Sequence, residues 1–436
     1  MPLTSRSDRD HDRQILRLAV PAFGALVAEP LFLLTDTVIV SHLPAPALGA
    51  VGVASTVLGV LVALCVFLAY GTTASVARQI GAGNTRQAVK QGVDGLWLAA
   101  GVGVAIIAVV WPLASPLVGL IGAEGELATQ AVTYLRISLV GVPAMLLVLA
   151  GTGVLRGMQD TTTPLLVSVG SFALNAVLNL VFVLGLGWGV AGSAWGTVLA
   201  QSLAAAVYLA IVFGRHRAPI RPDLAGIRSA GSAGIALIIR TACLQVVLAT
   251  AATMATRMGQ EQIETHTIAI RIWTLLAFAL DAIAIAGQAI TGRTLGAGDV
   301  TGTRNATRRM VGWGIGSGVL LGLLVIATRP FVPTVFDASP AVAGSLLDLL
   351  WVMAVLQPIA GVVFVLDGVL IGAGDQRYLA WAGLWTTLAY LPAALAAVLL
   401  GGGLVTLWLA LGVWMTARLV ALGRRAHGGA WLVIGA

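Results

Sequence analysis

Apolar stretches of about 20 residues recur along the whole chain, separated by short polar or Gly/Pro segments. A helix of that length crosses the roughly 30 Å hydrocarbon core of a bilayer while satisfying its own backbone hydrogen bonds. The 436 residues are 58% hydrophobic and 10% charged, whereas soluble domains carry about 25% charged residues. The chain is therefore predicted to be an all-α integral membrane protein.

Twelve transmembrane helices are predicted. They cover residues 15–41, 46–76, 88–114, 127–152, 165–187, 190–214, 229–256, 262–290, 306–330, 340–370, 377–400 and 403–423. The first apolar run follows a charged leader and is too long for the core of a signal peptide, so no cleavable signal is expected.

Basic residues fall almost entirely in alternate loops, which explains the net charge of +7 by the positive-inside pattern and not by a nucleic-acid partner. Only Arg257 and Arg329 lie on the opposite side. The pattern predicts a multi-pass protein with both termini in the cytoplasm, and the expected location is a bacterial cytoplasmic (inner) membrane. Its structural partner is the lipid bilayer.

The sequence repeats itself at an offset of 215 residues. RQIGAG at 78–83 lies over RTLGAG at 293–298, and GVLRGMQD at 153–160 lies over GVLIGAGD at 368–375. Because six spans fit within the offset, both halves enter the membrane in the same direction. Two six-helix lobes facing a central cavity are therefore predicted.

The predicted organisation follows from this repeat and from the longest polar stretch between spans, FGRHRAPIRPDLAG at 213–226. It consists of a cytoplasmic leader (1–14), an N-terminal lobe (15–214), a cytoplasmic linker (215–228), a C-terminal lobe (229–425) and a tail (426–436).

Sequence signatures of enzymes and ATP-driven pumps are missing. There is no P-loop, Lys90 is the only lysine, and no GxSxG occurs. The five histidines are scattered without metal-ligand spacing. No catalytic residue, metal or cofactor is predicted, which favours a secondary transporter and leaves a membrane-embedded enzyme as a remote alternative.

The first span carries two carboxylates, Glu29 and Asp36, within apolar sequence. They are two helical turns apart, so they lie on nearly the same face about 10.5 Å apart along the axis. A charge inside a bilayer costs at least about 2.5 kcal/mol and needs a reason. Pro21 and Pro30 interrupt the backbone ladder of the same helix, which is therefore expected to bend.

Two further polar pairs lie at i, i+4 spacing. They are Asn175 and Asn179 in the fifth span, and Thr197 and Gln201 in the sixth. Hydrogen bonding between helices explains such residues as readily as ligand binding does. Together with the first-span carboxylates they predict a polar pocket in the N-terminal lobe.

The C-terminal half has its own charges within predicted spans, at Arg240, Arg271, Asp281, Asp348 and Asp367. The position equivalent to Asp36 is alanine, so the lobes have diverged. Asp367 and Asp94 lie near predicted cytoplasmic ends, where solvation or capping of a neighbouring helix is the favoured interpretation.

Several motifs together resemble the multidrug and toxic compound extrusion (MATE) transporters, in their DNA-damage-inducible protein F (DinF) branch. The residues that carry this resemblance are EPLFLLTDT (29–37), RQIGAG (78–83), LRGMQDTTTPL (155–165), GLGWGVAGSAWGTVLAQ (185–201), IAIRIWTLLAFALDAIAIAGQAITGRTLGAGD (268–299) and LDGVLIGAGD (366–375). The resemblance implies twelve helices in two lobes forming a V and antiport driven by protons or sodium.

The resemblance also implies residue roles. Asp36 matches the family's coupling aspartate and Pro21 its helix-bending proline. The family's pocket positions match Glu29, Asn175, Asn179, Thr197 and Gln201. Many relatives have a carboxylate where this chain has Asn179, so protons are favoured over sodium as the coupling ion. A monomer is expected.

Desolvation penalises the charged form of a carboxylic acid, so an aspartate at the depth of Asp36 could exchange protons near neutral pH. The favoured function is proton-driven export of amphipathic or cationic small molecules. The alternative is a flippase for a lipid or a lipid-linked saccharide. A lipid phosphate would favour arginines lining the cavity, for which Arg240 and Arg271 are the candidates.

The topology is testable by cysteine labelling from outside the cell after the two native cysteines are replaced. A single cysteine in the loop 122–126 is expected to react with an impermeant reagent, and one in the linker 213–226 is expected to react only after permeabilisation. The reverse pattern would overturn the predicted orientation.

Overall fold

The computed structural model describes residues 6–215, 221–399 and 401–435, and the secondary structure within them is entirely helical. The predicted leader, linker and tail fall partly on residues outside these ranges. The α-helices are α1 (Arg6–Val40), α2 (Ala47–Cys65), α3 (Phe67–Gly81), α4 (Thr85–Leu120), α5 (Gly125–Gly157), α6 (Thr162–Asn179), α7 (Gly189–Leu209), α8 (Leu224–Met258), α9 (Gln260–Gly296), α10 (Val300–Thr328), α11 (Val332–Val335), α12 (Pro340–Gly372), α13 (Gln376–Leu399) and α14 (Gly403–His427).

Twelve segments of the described chain are long and apolar enough to cross a membrane, as predicted. The second consists of α2 and α3, which are separated at Val66. Most of the helices are longer than the hydropathy pattern predicted, because helical hydrogen bonding continues into the polar residues that flank each apolar stretch. Thus α9 continues through Arg293 to Gly296.

The internal repeat is visible in the helices themselves. The bounds of α5 and α12 are offset by the predicted 215 residues at both ends. The repeated GAG motifs end α3 and α9, where Gly83 and Gly298 have φ angles of 77° and 74°. Left-handed backbone costs glycine little, so the motif repeats because both halves make the same turn after the helix.

The helices form two compact units. One contains Gly24–Gly234, and the other contains Met1–Phe23 with Ile235–Gly435. Each boundary falls inside the first helix of a repeat, α1 or α8. The sequence-based lobes, 15–214 and 229–425, divide the chain by span number and stay a prediction.

Within the unit Gly24–Gly234, α5 packs against α2, α3, α4 and α7. Small residues make this packing close. A side-chain carbon on Gly153 of α5 would come 2.5 Å from the Ala69 carbonyl oxygen of α3, so this contact requires glycine.

Polar side chains hold the start of α8 within the same unit. The buried Asp94 carboxylate accepts the backbone N–H of Asp223 at 2.9 Å, so Asp94 caps a neighbouring helix. The Asp223 carboxylate pairs with the Lys90 ammonium at 2.6 Å and accepts the N–H of Ala225 at 3.1 Å. The lysine beside it lowers the pKa of the Asp223 carboxyl below its ordinary value.

In the other unit, α12 packs against α9, α10 and α14. The glycine-rich run of α10 allows the backbones to meet, because a side-chain carbon on Gly318 would lie 2.5 Å from the Gln357 carbonyl oxygen. The first part of α1 is held by Asp12, which pairs with Arg309 at 2.6 Å and accepts the indole N–H of Trp313 at 2.8 Å.

α1 is one helix through both of its prolines, and its contacts change unit between Phe23 and Gly24. Proline removes a backbone hydrogen bond and so makes bending easier.

We therefore expect Pro21→Ala to slow substrate turnover severalfold while leaving substrate affinity nearly unchanged. Turnover and equilibrium binding measured on the same purified protein test this. Normal turnover in a folded variant would contradict it and make Pro30 the next candidate.

Candidate functional site

Asp36 lies in the second half of α1 with its carboxylate buried and hydrogen-bonded to two other helices. One carboxylate oxygen, Oδ1, accepts the amide Nδ2–H of Asn179 at 2.5 Å and the hydroxyl of Ser193 at 2.8 Å. Asn179 is the last residue of α6, and Ser193 is in the first turn and a half of α7. The carboxylate therefore ties α1 to both helices.

Hydrogen bonds continue from the carboxylate along α6 and across to α7. Asn179 also donates to the Oδ1 of Asn175 at 3.1 Å, and Asn175 donates to the hydroxyl of Thr197 at 3.0 Å. All of these side chains are buried. Four of the predicted site residues, including Asp36, thus belong to one continuous network, which we call the Asp36 network.

Two members of the site were missed from the sequence. Ser193 lies one turn before Thr197 on the same face of α7, so the i, i+4 pattern continued backwards would have found it. Tyr134 on α5 is buried beside Ser193 and Thr197 and interacts electrostatically with Asp36. An isolated tyrosine gives no periodic signal, and only the fold brings it here.

The end of α6 has unusual backbone geometry. After Asn179 the chain continues as a π-helical segment, Leu180–Gly185, a form that often occurs at functional sites. The Oδ1 of Asn179 is buried, receives no hydrogen bond from the described part of the chain, and faces Gly196 of α7. The absence of a side chain at Gly196 provides the space for the Asn179 amide.

Packing holds the second half of α1 in place. Phe32 stacks on Phe172 of α6 with ring centroids 5.0 Å apart. The hydroxyls of Thr35 and Thr37 donate to backbone carbonyls four residues earlier, at 2.9 and 2.7 Å. Such bonds to the helix backbone favour bending, so the residues that flank Asp36 ease the same deformation as the prolines.

Among the described side chains, those of Gln201, Pro21 and Pro30 make no hydrogen bond to the network. Gln201 is half-buried, one turn after Thr197 on α7, and the hydrogen bonds of the network among the described residues end at Thr197. Glu29 lies within α1, but its side chain is outside the part that the structure describes. Pro21 and Pro30 lie within α1 on either side of the unit boundary.

Three of the C-terminal candidates lie in surroundings that the sequence did not predict. Asp367 is neither solvated nor a helix cap, because it is buried in ion pairs with Arg240 and Arg418. Arg271 and Asp348 lie within candidate membrane spans, as predicted, but their side chains are exposed at the protein surface and not packed inside it. Apolar neighbours in sequence placed them within a span but could not say which side of the helix faces the protein. Asp281 is half-buried.

The chemistry available at the Asp36 network is proton exchange and attraction of a cation by one carboxylate. Among the residues that the structure describes, no group of three or more His, Cys, Asp or Glu is arranged to hold a metal ion. The other members of the network are neutral amide and hydroxyl groups, which can reorient when the carboxyl gains or loses a proton.

The contact between Gly196 and Asn179 generates a prediction. Gly196→Ala would place a methyl group against the Asn179 amide and shift it away from Asp36, so transport is expected to fall at least about tenfold. Gly170→Ala on α6 is the matched control, because nothing lies within 4 Å of a side-chain carbon there. Substrate efflux measured for both variants at equal membrane abundance is the test. Equal activity would mean that the position of Asn179 does not matter.

Comparisons with known proteins agree with this architecture. The MatE family model matches residues 21–181 and 236–400. Protein DETOXIFICATION 44, chloroplastic, of Arabidopsis thaliana is 32% identical over 461 residues, which cover 99% of this chain and 86% of the relative. DNA damage-inducible protein F of Escherichia coli (strain K12) is 28% identical over 441 residues, covering 96% and 94%.

Solved structures have the same fold. An outward-facing multidrug resistance MATE family transporter of the MOP superfamily superimposes with a TM-score of 0.88 at 23% identity, covering 98% of this chain and 99% of that one. At this identity the likeness concerns the fold alone, whereas the family match extends over most of the sequence. The chain therefore belongs to the MatE family and is a multi-pass membrane transporter, not an enzyme.

Proposed function

We propose that this transporter exports amphipathic, often cationic, compounds in exchange for protons, and that Asp36 is the group that couples the two. The name DETOXIFICATION, which the similar Arabidopsis thaliana protein has, supports export of toxic compounds. The positive-inside pattern supports cytoplasmic placement of both termini, and the similarity to an Escherichia coli protein supports a bacterial inner membrane.

The observation that carries the proposal is the pair of hydrogen bonds to one oxygen of Asp36, from Asn179 on α6 and Ser193 on α7. Hydrogen bonds to an ionised carboxylate are roughly twice as strong as those between neutral groups. Protonation of Asp36 therefore weakens both bonds at once. In doing so it loosens α1 from two helices of its unit.

The sequence of α1 allows the helix to bend once it is less tightly held. The helix has easy bending points at Pro21 and Pro30, and threonine-to-backbone bonds flank Asp36. With its carboxylate ionised, α1 is held by the network. With the carboxyl protonated, α1 is free to bend, and the space available to a substrate changes.

Charge links the motion to the substrate. A cationic compound is attracted to the site while Asp36 is ionised, and a proton arriving at the same carboxylate removes that attraction. Proton and substrate thus compete for one group, which is the thermodynamic requirement for antiport. A single carboxylate among amides and hydroxyls supports protons over sodium, because sodium binding would benefit from further negative oxygen ligands.

Substitution of Asp36 is the direct genetic test. Asn cannot titrate and has nearly the same shape, so Asp36→Asn is expected to fold, to lose export driven by an imposed pH gradient, and to bind substrate independently of pH between about 5 and 8. The measurement is efflux from proteoliposomes together with equilibrium binding.

Glu29→Gln is the matched control, since it removes a second carboxylate from the same helix. We expect it to change substrate preference but to retain coupling. A folded Asp36→Asn protein that still exports against a gradient in response to a pH difference would contradict the proposal. Separate pH and sodium gradients in the same liposomes identify the coupling ion.

A further inference from the structure

An open groove runs along α14 in the unit that contains Ile235–Gly435, and the proposed proton cycle does not use it. The groove has a volume of about 780 Å³, and one of its walls includes Trp385 of α13. The opposite wall is one face of α14, where lining residues recur every third or fourth position at Leu409, Val413, Thr416, Val420 and Arg424. We call this feature the α14 groove.

The α14 groove has the length of one leaflet of a bilayer. At 1.5 Å per residue, Leu409 and Arg424 are about 22 Å apart along the helix, and half of a bilayer with its headgroups is about 20–22 Å thick. α14 is a candidate membrane span, and the basic residues of its last turn mark its predicted cytoplasmic end. With Arg424 among the cytoplasmic headgroups, Leu409 lies near the middle of the bilayer.

The groove is apolar along most of its length. Leu409, Val413 and Val420 are exposed in it. The hydroxyls of Thr386 and Thr416, which also line the groove, donate at 2.8 Å to carbonyl oxygens of their own helices. Because these hydroxyls are already hydrogen-bonded, an acyl chain can lie in the groove without leaving them unsatisfied.

The positive charge at the end of the groove is available to a ligand. The neighbouring Arg425 pairs with Asp375 at 2.6 Å and lies 4.8 Å from the centre of the Tyr378 ring. Arg424 is exposed and forms no ion pair or side-chain hydrogen bond within the part of the chain that the structure describes. None of the described residues that line the groove is acidic. The α14 groove is therefore apolar with a cationic end.

We propose that the α14 groove binds an anionic phospholipid of the cytoplasmic leaflet, whose phosphate pairs with Arg424 and whose acyl chain lies along α14 against Trp385. A guanidinium group binds phosphate oxygens through two parallel hydrogen bonds. The lipid fits the groove in length, in apolar character and in the sign of its charge. The site goes beyond the proposed export of cations and holds whether or not Asp36 couples protons.

Charge disfavours a second copy of the chain as the occupant of the groove. In a two-fold dimer with both copies oriented alike in the membrane, the axis runs along the membrane normal, so the same surface of each copy meets at the same depth. Two Arg424 side chains would then face each other at one level, without an acidic lining residue to separate them. A phospholipid headgroup brings the opposite charge instead.

Quenching of Trp385 fluorescence by brominated lipids tests the proposal on the full-length protein. Nanodiscs contain equal amounts of phosphatidylcholine and phosphatidylglycerol, and the acyl chains of either one lipid or the other carry the bromine. Both preparations therefore have the same surface charge. The difference in fluorescence between the native protein and Trp385→Phe isolates the signal of this exposed tryptophan.

We expect brominated phosphatidylglycerol to quench the Trp385 signal about fivefold more than brominated phosphatidylcholine, the ratio that one basic residue at a membrane surface provides. Equal quenching by the two lipids would overturn the proposal. Quenching by neither lipid would mean that protein covers the groove, which would also overturn it.

Two arginine variants, each measured with and without Trp385, locate the preference. Arg424→Gln is expected to reduce the quenching ratio to about one. Arg377→Gln is the matched control, because Arg377 is exposed in the first turn of α13 but does not line the groove, and its ratio is expected to equal the native one. A folded Arg424→Gln protein that keeps the native ratio would overturn the proposal, as would an equal loss in both variants.

Discussion

The hydrogen bonds to the Asp36 carboxylate are the interaction on which the account of this transporter depends. A carboxylate within a membrane helix is costly unless it has partners, and here Asn179 and Ser193 provide them from two other helices. The same bonds place α1 against α6 and α7. A change in the charge of the Asp36 carboxylate therefore also changes how strongly α1 is held. Protonation of one side chain is in this way linked to a conformational change.

The two halves of the chain keep one architecture and differ in chemistry. The bounds of α5 and α12 differ by 215 residues at both ends, and the same glycine turn follows α3 and α9. The position equivalent to Asp36 is the fully buried Ala251, whereas the C-terminal unit concentrates Arg240, Asp367 and Arg418. The two halves thus share a backbone arrangement, whereas the buried charged side chains differ: a carboxylate bonded to neutral groups in one unit and arginine–aspartate ion pairs in the other.

Patterns within single helices predicted the spans and the polar pairs. Contacts between residues far apart in sequence could not be predicted in this way. Apolar length identified the spans, and i, i+4 spacing identified the Asn175–Asn179 pair, because both patterns are read within one helix. Ser193 was within reach of the same spacing. The Arg240–Asp367 pair joins residues 127 positions apart, and no local pattern encodes that contact. Hydropathy likewise placed Arg271 within a span without indicating its exposed side.

Proton release on substrate binding tests the central claim most directly, because it measures competition for Asp36 without requiring transport. Purified protein in weakly buffered solution with a pH indicator is mixed with a permanently charged cationic substrate. The account predicts release of up to about one proton per bound substrate, depending on pH between about 5 and 8, and none in Asp36→Asn. Undiminished release from a folded Asp36→Asn protein, or none from the native protein across that range, would contradict it.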